Sequence, residues 1–307
     1  MHKKTFLQRL GLDLRRNYLL YLLILPVLAY YIIFHYMPMY GIQLAFKTYI
    51  PKLGYAGSPW VGVDNFNRFF HSYNFKQLLG NTIGISIYNL LVCFPLPIVF
   101  ALLLNYMRSK RYKKVIQMVS YAPFFISVVV FSGMLLIFLQ SDSSVVNTFL
   151  QSLGLPAVPF LSKPEYFKSV YVWSGLWQNL GFASIIYISA LSAVDEALHE
   201  AAIIDGATKL RRIWHIDLPG ISPTIIMLLI LNMGNIMNVG FEKIFLLQNA
   251  LNQSSSDVIA TYIYRVGLLN NDYAYSTAVG LFNSVINLAL LLLVNFIVKK
   301  TTANSLF

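Results

Sequence analysis

Read as a pattern of apolar and polar positions, the chain is dominated by long stretches free of Asp, Glu, Lys and Arg. Six of them, at 17–46, 78–107, 115–141, 169–194, 218–241 and 273–298, are long enough for a helix that crosses a bilayer, which needs roughly 20 residues at about 1.5 Å each. Each predicts one spanning helix. The stretch 143–162 is also uncharged, but its serines and Gly154, Pro156 and Pro159 break it, and backbone that cannot close its own hydrogen bonds is not tolerated against lipid. It reads as a loop. The first helix is expected to run from near Asn17 to about Met37, and Pro51, Gly54, Gly57 and Pro59 then turn the outside segment into loop and short interfacial pieces. Pro123, near the start of the third run, suits a helix start or a kink.

Between the fourth and fifth runs lies a segment of different character, EALHEAAIIDGATKLRRIWHIDLPG at 196–220. It predicts two short helices joined by a sharp bend. Asp195 and Glu196 suit a helix N-terminus, and Ala197, Ala201 and Ile204 fall on one face. Gly206 can end the first helix with positive φ, Thr208 can cap the second, and Pro219 would open the fifth span. Small alanines allow another surface to approach closely, while Glu200 and Asp205 offer it charge. A hairpin resting on lipid headgroups accounts for the same residues, since Arg211, Arg212 and Trp214 would suit it.

Composition agrees with a membrane protein. Of 307 residues 57% are hydrophobic and 11% charged, against about 25% charged in soluble domains. The net charge of +11 is not a nucleic-acid footprint, because the basic residues cluster at the ends of the runs. With both termini inside, fifteen of the 23 Lys and Arg fall in inside segments, which is the positive-inside bias. The 196–220 segment then faces the cytoplasm. The single cysteine, Cys93, excludes an intrachain disulfide and a thiolate cluster, and the histidines lack metal-ligand spacing, so no metal site is expected.

Absent chemistry narrows the function. None of the six runs holds an ionisable acid near its middle, which weighs against an ion-coupled carrier, and no repeated half supports an inverted-repeat transporter. The nearest approach to a phosphate-binding loop, DGATK, is too short. Clustered carboxylates near a span end, expected of an enzyme acting on lipid-linked sugars, are also missing. The polar positions that do enter the apolar runs are amides: Asn232, Asn235 and Asn238 form a slanted stripe on the fifth, and Asn283 and Asn287 stand one turn apart on the sixth. They can meet sugar hydroxyls or bond helix to helix. Trp173 and Trp177 read as an interfacial aromatic belt, and Glu242 and Lys243 as a mutual or solvated pair.

EAA at 200–202, DGA at 205–207 and I-x-LP at 216–219 resemble the coupling loop of permease subunits of binding-protein-dependent ATP-driven importers. GSPWVGVDNF, NTIGISIYNLLVCFPLPIVFALLLN, YAPFFISVVV and NMGNIMNVGFEKIFLLQN are similar to the sugar-importer branch of type I permeases, within it to subunits carrying pectin-derived rhamnogalacturonan or oligogalacturonide fragments. The resemblance implies an all-α integral membrane protein with six transmembrane helices: a cytoplasmic basic tail at 1–16, a first helix and extracellular loop at 17–77, a transmembrane domain of five helices at 78–298 with its coupling loop at 195–219, and a tail at 299–307. It implies that Glu200, Ala201, Ala202, Asp205, Gly206, Ala207, Leu218 and Pro219 couple to an ATPase, and it favours Asn235 and Asn238 as pathway residues. The implied partners are a second, non-identical permease, two ATPase subunits carrying ATP and Mg, an extracellular sugar-binding protein and membrane lipid. This chain would bind no cofactor and would sit as a multi-pass protein in a bacterial plasma membrane. Arg211 and Arg212 depart from the family's pattern.

Overall fold

The computed structural model describes residues 15–140 and 143–301; the basic residues Lys3, Lys4 and Arg9 lie outside them. Regular structure among these residues is helical apart from one antiparallel bridge between Lys47 and Trp60.

Helix α1, Tyr18–Tyr31, does not stop near Met37. It passes through a π turn at Ile32–Tyr36 and tightens into a 3-10 segment at Tyr40–Phe46, so that one rod runs from Tyr18 to Phe46. The wide π turn lies directly before Pro38, where a proline ring would collide with a regular helical carbonyl. After the short α2 (Asp64–Phe70), helices α3 (Phe75–Cys93) and α4 (Pro95–Asn105) form a second rod.

The third apolar run is two helices, α5 (Lys110–Tyr121) and α6 (Val128–Leu139), bent by 98° between them. Pro123 sits in a 3-10 turn and Ile126 and Ser127 are extended, so the proline marks a break. The freed polar groups are satisfied locally: Ser127 accepts from the Val130 N–H at 3.3 Å, and Gln178 Nε2 donates to the Ile126 carbonyl at 2.9 Å. A buried glutamine on a spanning helix thus closes a break that lipid could not hydrate. The uncharged stretch 143–162 holds only the eight-residue α7 (Val145–Ser152).

The fourth run is α8 (Pro164–Ser192), bent by 72° into α9 (Glu196–Ile204). The next rod begins earlier than Pro219: α10 (Lys209–Arg212) continues through a π turn at Ile213–Asp217 into α11 (Leu218–Met233). Here again the π turn admits the proline without ending the helix. Two short helices, α12 (Phe241–Leu247) and α13 (Ile259–Tyr264), precede α14 (Tyr273–Thr301). Among the described residues four rods are long and apolar enough to cross a membrane, and the two bent pairs bring the number to six. The protein is an all-helical membrane protein.

Three buried clusters hold the body together, around Phe69, Met237 and Tyr275, around Ile85, Phe167 and Ile244, and around Ala101, Tyr187 and Ile221. Between helices in lipid the gain is close packing rather than escape from water. The tightest approach is at Gly181 on α8, where a Cβ would land on the Ser120 carbonyl of α5. No residue of α1 is buried.

Candidate functional site

Helix α11 ends at Met233, and residues 234–240 continue as turns and irregular backbone in which Met237 and Val239 are buried. Gly234 lets this strand of backbone lie against Leu291 of α14, where a Cβ would clash. The freed carbonyl of Leu231 accepts from Asn235 Nδ2 at 3.3 Å, so an amide serves the frayed helix end. Asn232 Nδ2 donates likewise to the Leu228 carbonyl at 2.8 Å.

A cavity of about 380 Å³ opens beside this break. Its polar wall is Asn232 from the last turn of α11, Asn235 and Asn238 from the break, Ser86 and Asn89 from α3, and Tyr171 and Tyr187 from α8; no Asp, Glu, Lys or Arg lines it. Asn283 and Asn287 stand behind the wall. Asn238 Oδ1 accepts from Asn283 Nδ2 at 3.0 Å and from Asn287 Nδ2 at 3.2 Å, and buried Asn287 Oδ1 accepts from the Met237 N–H at 2.9 Å. The five amides therefore divide: three face the cavity, and two on α14 hold Asn238 from behind, Asn287 also fixing the Met237 backbone N–H. Such a surface offers amide and hydroxyl groups that can meet sugar hydroxyls and, through their N–H and O–H donors, carboxylates.

The 196–220 segment folds as two helices about a sharp bend. Asp195 caps α9 through the Ala197 N–H at 3.0 Å, Gly206 has φ +74°, and Thr208 Oγ1 accepts from the Arg211 N–H at 3.4 Å. Glu200, Ala201, Asp205, Gly206 and Pro219 are exposed, Ala202 and Ala207 half-buried, and Leu218 packs into the third cluster. Leu198, Ile203, Ile204, Leu210 and Trp214 add an exposed apolar surface, with Ile204 at 85%.

Two charged residues here were not legible as important in sequence. Asp217, fully buried, accepts from Tyr106 Oη at 2.6 Å and lies 3.3 Å from His199 Nε2. Burial, then the hydrogen bond and charge of Asp217, push the Tyr106 phenol well above its ordinary value. Lys243 does not pair with Glu242, which is exposed. It is buried, its Nζ donates to the Tyr171 carbonyl at 2.9 Å, and it lies over the rings of Tyr171 and Phe131 at 4.8 and 5.2 Å. An acid beside a Leu-Pro step and a base beside an aromatic run are the only sequence signals either leaves. Trp173 donates to Tyr88 Oη at 2.9 Å and Trp177 stacks on Phe131. Among the described residues no three His, Cys, Asp or Glu gather as a metal site.

Residues 95–303 match the family described as the binding-protein-dependent transport system inner membrane component. The chain belongs to that family. Protein LplB of Bacillus subtilis is 43% identical to this permease over 294 residues, 96% of this chain and 92% of the relative. The polygalacturonan/rhamnogalacturonan transport system permease protein YteP of the same organism is 41% identical, over 97% of this chain and 93% of its own. A crystal structure of a bacterial alginate ABC transporter, in complex with an alginate pentasaccharide-bound periplasmic protein, contains a chain that superposes with a TM-score of 0.90 at 41% identity, covering 97% of this permease and 100% of that chain. This permease is thus a multi-pass inner-membrane transport component working with a binding protein, not an enzyme.

Proposed function

We propose that this permease forms one side of the translocation pathway of an ATP-driven oligosaccharide importer, with pectin-derived fragments as its substrate class. The observation that carries the reading is the uncharged cavity walled by Asn232, Asn235 and Asn238 at the break after α11. A path for sugars needs many hydroxyl partners of modest strength, each worth about 0.5–1.5 kcal/mol net, so that the substrate leaves as easily as it arrives. The substrates named for YteP and for the alginate transporter are both polysaccharides of this general kind. A second, non-identical permease supplies the opposite wall. ATP and Mg reside on two separate ATPase subunits.

In this reading Glu200, Ala201, Ala202, Asp205, Gly206, Ala207, Leu218 and Pro219 form the knob that the ATPase moves. The exposed apolar residues around Ile204 and the exposed carboxylates of Glu200 and Asp205 support it, because a surface of that make-up is suited to a protein cleft. Closure of the ATPases would turn the cavity outward, and the loaded binding protein biases the same two-state equilibrium.

Asn235→Leu is expected to abolish uptake of oligogalacturonides while the complex stays assembled in detergent, since its amide bonds only nearby groups, the Leu231 carbonyl at 3.3 Å and Asn238 Nδ2 at 3.4 Å. Asn238→Leu removes the acceptor shared by Asn283 and Asn287 and should weaken both uptake and assembly. Uptake intact in Asn235→Leu would remove the stripe from the pathway. Orientation is tested with an impermeant thiol reagent: a cysteine at exposed Ser143 should react from outside and one at exposed Thr208 only after the membrane is opened. The reverse pattern would invert the topology.

A further inference from the structure

The cytoplasmic loop needs a mechanical connection to the spans, and the fold supplies one buried charge where they meet. Asp217 closes the π turn that joins the loop to α11, and its side chain is fully buried. Its Oδ2 accepts from Tyr106, the residue directly after α4, at 2.6 Å; its Oδ1 stands 3.3 Å from Nε2 of His199 on α9. One carboxylate therefore touches three elements: the knob helix, the cytoplasmic end of the α3–α4 rod, and the start of α11. Arg212, at the other end of the π turn, places its guanidinium over the Tyr106 ring at 5.5 Å. The groups placed against Asp217 are thus an imidazole and a phenol, with that guanidinium on the face of the phenol ring.

The site is also incompletely satisfied. Asp217 Oδ1 makes no aligned hydrogen bond despite its proximity to His199, and Arg212 Nε is buried without an acceptor. Leaving a buried charged group short of partners costs stability, and such strain persists where a protein uses it. A π turn is a natural place for it, since a one-residue register change there alters which side chains face each other.

We propose that Asp217 is the positioning residue through which movement of α9 reaches the cytoplasmic ends of two spans, resting on the coupling role given above to the 196–220 loop. Displacement of α9 changes the 3.3 Å approach of His199 to the carboxylate, and the carboxylate is hydrogen-bonded to Tyr106 and built into the π turn, so both respond with it. The Asp217–Tyr106 pair acts as a unit, because each partner is held by the other.

The test uses the whole importer reconstituted with its ATPase and with its binding protein loaded with oligogalacturonides, reading the ratio of stimulated to unstimulated ATP hydrolysis per assembled complex. That ratio is insensitive to a purely structural defect, which lowers the amount of complex. Asp217→Asn and Tyr106→Phe, both near-isosteric, are each expected to lower it about fivefold or more, the scale of a coupling free energy. The double variant should be no worse than either single one, as for residues acting as a unit. A ratio within about twofold of wild type in Asp217→Asn, or effects that multiply in the double variant, would overturn the proposal. Glu200→Ala run alongside separates the two levels: if it loses stimulation while Asp217→Asn keeps it, the loop couples but not through Asp217, and if both keep it the coupling role itself falls.

Discussion

Gly206→Val is expected to lower binding-protein-stimulated ATP hydrolysis and uptake about tenfold or more while the chain still reaches the membrane. Gly206 turns α9 back toward α10 at φ +74°, a region where an L-residue loses about 1–2 kcal/mol and a β-branched one more. The cost is conformational, because an added Cβ would meet nothing within 4 Å. Relief of the strain must re-aim α9, whose exposed face is the proposed contact with the ATPase. The size of the effect should therefore follow backbone preference rather than bulk: Gly206→Asn mild, Gly206→Ala intermediate, Gly206→Val severe, since Asn tolerates the left-handed region best. The measurement is the same hydrolysis ratio in the reconstituted complex. A series ordered by side-chain size, with Asn worse than Ala, would show that the position is limited by space and not by its turn.

Gly181→Ala should be the most damaging single methyl in the body of the protein. An added Cβ would collide with the Ser120 carbonyl and its side chain oxygen, so backbone must move. Overpacking of this kind costs about 1–3 kcal/mol, and the upper end applies where no flexible side chain can give way. Separation of α5 from α8 also disturbs the break at Ile126, which depends on Gln178 three residues before Gly181. Thermal retention of the monodisperse complex in detergent measures the loss. Gly133→Ala on α6 is the matched control, because nothing lies within 4 Å of its Cβ; it should be neutral. Equal stability of the two variants would mean that α5 and α8 are not packed this closely.

The spans and the loop were legible because charge exclusion over 20 residues and a glycine between two capped helices are local signals. Asp195, Gly206 and Thr208 do in three dimensions what their chemistry suggests in one. The departures are long-range. Pro123 and Pro219 both look like boundaries, yet Pro123 marks a break of nearly a right angle, where distant Gln178 satisfies the Ile126 carbonyl, while Pro219 follows a π turn within a continuous rod. The amide stripe was equally ambiguous. Asn232 and Asn287 are alike in sequence, and only the position of α14 decides that one faces the cavity and the other holds its wall. Asp217 was invisible for the same reason, since Tyr106 lies 111 positions away.

The first helix makes insertion and folding separable quantities. No side chain from Tyr18 to Tyr31 is buried against the rest of the chain, and its apolar surface runs all the way round. Removing Tyr18–Tyr31 alone forfeits no internal packing, whereas Leu44 and Ala45 at the far end of the same rod are buried in the body. Whatever a chain lacking Tyr18–Tyr31 then fails to do reports on delivery to the bilayer or on its neighbours there, and whatever it still does belongs to the body alone. Conversely, α1 is tethered to the body only through the far end of its rod, where Leu44 and Ala45 are buried, so the same sequence can settle the free part of this arm differently as the company around it changes.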